Sequence, residues 1–243
     1  MKKVSRKGFT LVELLVVIGI LGILMGALFP VISSAMLNAN LSTMSMQGRK
    51  LIQGMIQANV ERQGKLGLVW PKDQDESSQN ASSDDIASKG ASTTTQYFKD
   101  LFDIDHYGTQ EWDPTVDGDL ISTLSGCGVQ GMSGKSLEKN NIAWAIAKNI
   151  FDETQDFIPI LVTRNADFST LNGYLNAFDG QNDTKLTLGK NYDQPFSNKG
   201  FVLVRKSGAA ESLKQKYARL NIIFNKQGFD NSSREKKLEF MDL

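Results

Sequence analysis

Apolar residues are spread unevenly along the 243-residue chain. From Phe9 to Phe29 the sequence is almost wholly apolar, and Glu13 is its one ionisable residue. As a helix rising about 1.5 Å per residue, this stretch reaches roughly 30 Å, the thickness of the hydrocarbon core of a bilayer. Beyond Pro30 the apolar positions narrow to a stripe. Leu37, Leu41, Met44, Gly48, Leu51, Ile52, Met55, Ile56 and Val60 recur at spacings of three and four, while Asn38, Asn40, Arg49, Lys50, Gln57 and Glu61 fall on the other face. The pattern predicts one helix from Phe9 to Gly64, about 84 Å long, with a membrane-spanning first half and a second half packed against a soluble head. Gly64, Lys65 and Gly67 end it, and Trp70-Pro71 reads as an extended segment against the head.

The remainder changes character twice. Asp73 to Thr95 is dominated by Ser, Asp, Gln, Asn and Thr and reads as a surface loop, since it holds too little apolar surface to order itself. Tyr97 to Phe102 reads as a short helical turn, and Asp103 to Gly134 as irregular and rich in turns. Ser136 is placed to cap a helix carrying Leu137, Ile142, Trp144, Ala145, Ala147 and Lys148. Strands are predicted at Ile158–Thr163, Lys185–Leu188, Phe201–Arg205 and Leu220–Phe224, where β-branched and aromatic residues gather. Lys206-Ser207-Gly208-Ala209 reads as the turn of an antiparallel hairpin whose second strand runs through Leu213. The tail from Arg234 to Phe240 is a mixed-charge run of the kind that forms a solvated end. The fold class expected is α+β, a long helix packed on a head with a small antiparallel sheet. The divisions are a leader over 1–8, the long helix over 9–64 with 9–29 in the membrane, a polar linker over 65–96, and the head over 97–243.

Charge refines this division. The chain carries 27 basic and 27 acidic residues, but Lys2, Lys3, Arg6 and Lys7 all precede the apolar run. Basic residues on that side keep the N-terminus in the cytoplasm and send the body across. Without them 23 basic residues face 27 acidic ones, so no nucleic-acid partner is expected. A secretory signal would be shorter and would end on small residues. Here the far end is Leu28-Phe29-Pro30-Val31, and the small residue, Gly8, lies before the apolar run.

Lys7-Gly8-Phe9-Thr10-Leu11-Val12-Glu13-Leu14-Leu15 resembles the prepilin cleavage and methylation signature of type IV pilins and type II secretion pseudopilins. The resemblance covers about the first thirty residues. It implies cleavage between Gly8 and Phe9 by a prepilin peptidase, methylation of the new Phe9 amine, and pairing of Glu13 with the Phe9 amine of a neighbouring subunit. A carboxylate in an apolar helix is costly and usually has a partner or a function; snorkelling to water at the membrane face is the plainer alternative. Gly19, Gly22 and Gly26 suit close helix approach as well as ordinary membrane-helix composition, and Pro30 is expected to kink or loosen the helix.

The other candidate chemistry is weak. Gly126-Cys127-Gly128-Val129-Gln130-Gly131 matches a GxGxxG string with Asp152 further on, but the dinucleotide reading needs a strand-turn-helix unit that the pattern does not supply. Gly128, Gly134, Lys135 and Ser136 miss the phosphate-loop spacing. His106 is the one histidine, and a hydrolase triad around it lacks its elbow motif. Asp103 and Asp105 beside it read as a turn. For calcium, Asp113, Asp117 and Asp119, or Asp179, Asn182 and Asp183, offer oxygen ligands without a full loop signature. Cys127 is the single cysteine, which excludes an intrachain disulfide and a cysteine zinc cluster.

No catalytic residue, resident metal or cofactor is therefore expected, and the expected function is a structural one. By the resemblance it is a subunit of a type II secretion pseudopilus, anchored in the inner membrane by one span with a periplasmic head. Its partners would be the prepilin peptidase, an inner-membrane assembly platform with its motor, and other pilins in a homo- or hetero-polymer. A subunit of a surface type IV pilus, serving adhesion, motility or DNA uptake, is the neighbouring alternative. A membrane-anchored binding head that never polymerises is the third.

Overall fold

The computed structural model describes residues 9–62, 70–71, 91–102, 118–131, 137–150, 154–177, 183–225 and 237–243. The chain divides into two units, Met1–Asn40 and Leu41–Leu243. Helix α1, Leu11–Arg62, begins in the first and supplies the opening helix of the second. In the first unit it runs on through Pro30, and the Ser33 hydroxyl donates to the Phe29 carbonyl at 3.1 Å beside the bond that the proline ring cannot make.

In the second unit the predicted stripe is observed: Leu41, Met44, Gly48, Leu51, Ile52 and Met55 are buried while Arg49 and Lys50 are exposed. What they pack on is a five-stranded antiparallel sheet built from β1 (Trp144–Lys148), β2 (Pro159–Thr163), β3 (Gly200–Arg205), β4 (Ala210–Lys214) and β5 (Glu239–Phe240). The spatial order is β4-β3-β2-β1-β5. Pairings Trp144↔Thr163, Leu161↔Val204 and Val202↔Ser212 fix the register and put Trp144, Thr163, Val202 and Val204 on one face. Gly48 brings α1 onto that face. A Cβ there would stand 2.5 Å from a Val204 methyl and 2.7 Å from the Trp144 ring, so Gly48→Val should destabilise the head by roughly 1–3 kcal/mol through overpacking, read as a lowered Tm with the secondary structure retained.

The β3–β4 hairpin forms as expected. Gly208 takes φ +82, its N–H donates to the Arg205 carbonyl at 2.8 Å, and the Arg205 N–H donates to the Ala209 carbonyl at 2.8 Å. Helix α2, Thr94–Phe102, covers the predicted turn at Tyr97–Phe102.

Four expectations for the head are corrected. The helix expected from Ser136 is instead a 3-10 turn at Lys139–Asn141 followed by β1. Trp144, Ala145, Ile146 and Ala147 are all fully buried between β2 and β5, so the run lacks the alternation of a half-exposed strand, and its alanines mimic a helix. Leu220–Phe224 belongs to a helix, α5 (Leu220–Asn225). There Leu220, Ile223 and Phe224 point inward and Ile222 is exposed, a helical spacing within an apolar run too short to be assigned by eye. Lys185–Leu188 forms only two isolated bridges, Lys185↔Arg219 and Ala166↔Leu188. Finally, part of the stretch expected to be irregular is helix α3, Gly118–Ser125.

The tail also departs from expectation. Leu238, Phe240 and Met241 are buried, and β5 completes the sheet edge beside β1. Met241 N–H donates to the Ile146 carbonyl at 3.0 Å and Thr94 N–H donates to the Asp242 carbonyl at 2.7 Å. The Asn172 side chain, on α4 (Phe168–Asn176), bonds both the N–H and the carbonyl of Phe240, at 2.9 and 2.8 Å. Charged residues had marked this end as solvated, but apolar residues between them carry its packing.

Candidate assembly site and the head's polar clusters

The N-terminal segment is organised around Thr10 and Glu13. Thr10 precedes the first helical residue, Leu11, and Glu13 lies in the first turn. The Thr10 N–H and hydroxyl both donate to Glu13 Oε2, at 2.9 and 2.8 Å, and the Glu13 N–H donates back to Thr10 Oγ1 at 3.3 Å. This is a reciprocal capping box, which satisfies two of the donors that a helix start leaves open and places an acidic group at its positive end. Thr10 was not singled out in the sequence, although Thr-x-x-Glu ahead of an apolar run is the pattern that announces it.

Among the described residues Glu13 Oε1 accepts no hydrogen bond, so half of the carboxylate is open to a further donor. Around it the helix surface is bare: Phe9 is 77 % and Ile23 is 76 % exposed. The helix is long and apolar enough to cross a membrane. A soluble core helix would bury such residues. Phe9 and Glu13 thus lie on one short stretch with Thr10 between them, while Gly8 lies outside the described residues.

Other candidates resolve into structure. Gly126–Gly131 follows helix α3 where a dinucleotide loop would follow a strand. Gly126 at φ +55 and Gly128 at φ +81 turn the chain against Met44, whose sulfur accepts from the Cys127 N–H at 3.1 Å. The Asn141 amide donates to the Gln130 and Gly131 carbonyls at 3.3 and 3.1 Å. The end of α3 is closed by Ala143 N–H on the Leu124 carbonyl at 2.7 Å and by the Trp144 indole on the Thr123 carbonyl at 2.9 Å. Burial pushes the Cys127 thiol up, which disfavours the reactive thiolate.

Among the described residues no three of His, Cys, Asp and Glu come together. His106, Asp103, Asp105, Asp113, Asp117, Asp152, Asp179 and Asn182 lie outside them. Asp119 falls on α3, and Asp183 pairs with Arg219.

A buried polar cluster after β2 escaped the sequence reading. Arg164 donates to the carbonyls of Lys139 and Ile142, each at 3.1 Å, and of Gln194 at 3.3 Å, and it lies 5.5 Å from the Tyr192 ring centre. Asn165 donates to the Ser197 and Gly200 carbonyls at 2.7 and 2.9 Å. Together they pin the segment leading into β3. Tyr192 in turn donates to Asp242 at 3.0 Å. Its hydroxyl is pushed up to about 12, by burial first and then by the bond to and charge of Asp242.

Asp167 caps α4, accepting from Ser169 N–H at 3.2 Å, the Thr170 hydroxyl at 2.7 Å and Lys190 at 3.2 Å. Burial raises its pKa, but the bonds from Thr170 and Lys190 and the Lys190 charge outweigh it, and the carboxyl stays below its ordinary value. A depressed folded pKa stabilises above the unfolded value of about 3.9 and is lost as the pH falls through the folded one. Asp167→Ala should therefore cost about 1–2 kcal/mol at neutral pH, a gap in Tm that narrows below about pH 4.

Residues 3–29 match the family model of the prokaryotic N-terminal methylation motif, the prepilin-cleavage signature of type IV pilins and pseudopilins. With the exposed apolar helix that carries it, the motif supports a type IV pilin-like protein and implies processing by a prepilin peptidase and assembly with other pilins. No curated protein and no solved structure matches the chain.

Proposed function

We propose that this protein is a non-enzymatic subunit of a type IV pilus-like filament, specifically a pseudopilin of a type II secretion apparatus. The observation that carries the reading is the exposed apolar helix with the methylation motif at its start and the Thr10–Glu13 box inside that motif. In this reading the peptidase cuts between Gly8 and Phe9, and the Phe9 amine is methylated. Glu13, with one oxygen held by Thr10, offers the other to the Phe9 ammonium of the next subunit. That pairing cancels two charges that would otherwise stand alone in an apolar bundle. The apolar surface of the helix leaves lipid for sister helices, with Gly19, Gly22 and Gly26 giving close approach. The inner-membrane platform and its motor supply the work of extraction, and the head projects on the periplasmic side. Cys127 is the single cysteine, so the head has no disulfide-closed loop of the kind many surface pilins use, which favours secretion over a surface pilus.

Intact and N-terminal peptide mass spectrometry of the protein from its native membrane tests this first. A chain beginning at methylated Phe9 is expected. A chain retaining Met1–Gly8 in cells with active peptidase overturns both filament readings and leaves a membrane-anchored head.

A further inference from the structure

A side chain of α4 clamps the C-terminal strand β5. Asn172, in the interior of that helix, donates its amide N–H to the Phe240 carbonyl at 2.8 Å and accepts from the Phe240 N–H at 2.9 Å. A primary amide makes both bonds, whereas a carboxylate could make only the second. Lys237 ties the same segment to the end of the same helix, its ammonium donating to the Asn176 carbonyl at 3.0 Å. Asn172 is half-buried, and the residue after it is exposed.

That next residue is Gly173. Glycine is the least favourable residue after proline in a helix interior. Elsewhere in the head Gly48 is required by close approach and Gly208 by its φ of +82. Gly173 has neither reason: its backbone is helical, and a Cβ built on it meets nothing within 4 Å. What glycine does supply there is chemical. Without a Cβ its amide nitrogen is unshielded towards the side-chain carbon of the residue before it, and of the chain's asparagines Asn172 alone is followed by glycine. In the docked state the two groups are kept apart, because the helix directs the Gly173 nitrogen along its axis and Phe240 holds the Asn172 amide. Attack therefore requires β5 to lift and α4 to open, a local unfolding that a helix-interior glycine makes easier.

We propose that Asn172-Gly173 is a self-modification site, at which lifting of β5 starts a reaction that makes its release permanent. The Gly173 nitrogen gives its proton to hydroxide and attacks Asn172 Cγ. A C–N bond forms, the Cγ–Nδ2 bond breaks and ammonia leaves, giving a five-membered succinimide. Water then adds at Cγ to give aspartate, or at the main-chain carbonyl carbon to give isoaspartate; one water is consumed, and no oxidant or cofactor takes part. Aspartate still accepts from the Phe240 N–H but sets an ionised oxygen against the Phe240 carbonyl, which loses its donor. Isoaspartate also lengthens the main chain by a methylene, which breaks the hydrogen-bond ladder of α4. Either product frees the edge of β1 that β5 covers at Ala147 and Lys148. Nothing in this chemistry depends on filament assembly.

Full-length protein in detergent, aged at mildly alkaline pH and separated by charge, is read by peptide mass spectrometry with electron-transfer fragmentation and by amide hydrogen exchange. Asn172 is expected to lose its amide ahead of the other described asparagines. The modified fraction should lose protection at the Phe240 and Met241 amides by about ten-fold or more, while Val202 on β3 keeps its own. Asn172→Asp should show the same loss without ageing. Lys237→Ala, which removes a tie at the surface, should speed the modification about two- to five-fold. Gly173→Ala, which the helix accepts without a clash, should keep both the Asn172 amide and the protected tail over the same period. An Asn172 no more reactive than other asparagines, a rate unchanged by Lys237→Ala, or a tail still protected in the modified fraction and in Asn172→Asp overturns the proposal. So does a Gly173→Ala tail that loses protection on ageing as fast as the parent's, since the release would then have another cause.

Discussion

If the protein is the filament subunit proposed above, Glu13→Ala is expected to leave it in the membrane at normal levels and to remove it from the filament. Two effects add. The substitution deletes the acceptor of both Thr10 bonds, costing the helix start about 1 kcal/mol, which a long helix tolerates. On the filament reading it also leaves the incoming Phe9 ammonium without a counter-charge in an apolar bundle. Breaking a buried charge pair by removing one partner costs about 3–5 kcal/mol, a loss on the order of a hundredfold or more in the subunit equilibrium. Membrane fractionation and shearing of assembled filaments separate the two consequences. Glu13→Gln sharpens the result, because it keeps a hydrogen-bonding cap and removes the charge; assembly at the normal level with glutamine would show that capping, and not charge pairing, is what Glu13 supplies.

Deleting residues 238–243 is the change expected to damage the head most. It removes the buried Leu238, Phe240 and Met241 and the strand beside β1. It also orphans the side chain of Asn172, which is held by both backbone groups of Phe240. Truncating one buried Leu, Met or Phe costs about 2–5 kcal/mol. Three together approach the 5–15 kcal/mol that holds a whole domain, so the truncated head should lose cooperative unfolding and become open to protease in full-length, detergent-solubilised protein. Asp242→Ala serves as the control. Among the described residues its side chain accepts only the Tyr192 and Leu243 bonds at the surface, and its loss should cost about 1 kcal/mol or less.

The N-terminal portion was legible because its signals are local. An apolar run of membrane length, basic residues on one side and Glu13 four residues after Phe9 each sit within one segment and depend on no distant partner. The stripe from Leu41 to Met55 was likewise readable, since helical periodicity declares its own buried face. So was the β3–β4 hairpin, whose turn needs a residue at positive φ and has Gly208 there.

What the residues could not declare alone was settled by their neighbours. Trp144–Lys148 and Leu220–Asn225 are apolar runs of similar look, yet one is a strand and the other a helix. The first finds open backbone groups on β2 and β5, whereas the second offers Leu220, Ile223 and Phe224 to the core on one face. The tail's fate turned on the same point: its charges are real, but β1 had an edge to fill and Asn172 a backbone to hold. Thr10 shows the converse, a local signal whose meaning emerged only when its bonds to Glu13 were seen. The long apolar helix and the methylation motif at its start were thus written in composition and short spacing. The head's sheet, its sealed C-terminus and the Arg164 and Asn165 bonds that pin the approach to β3 came from burial and pairing between segments far apart in the chain, which no local pattern encodes.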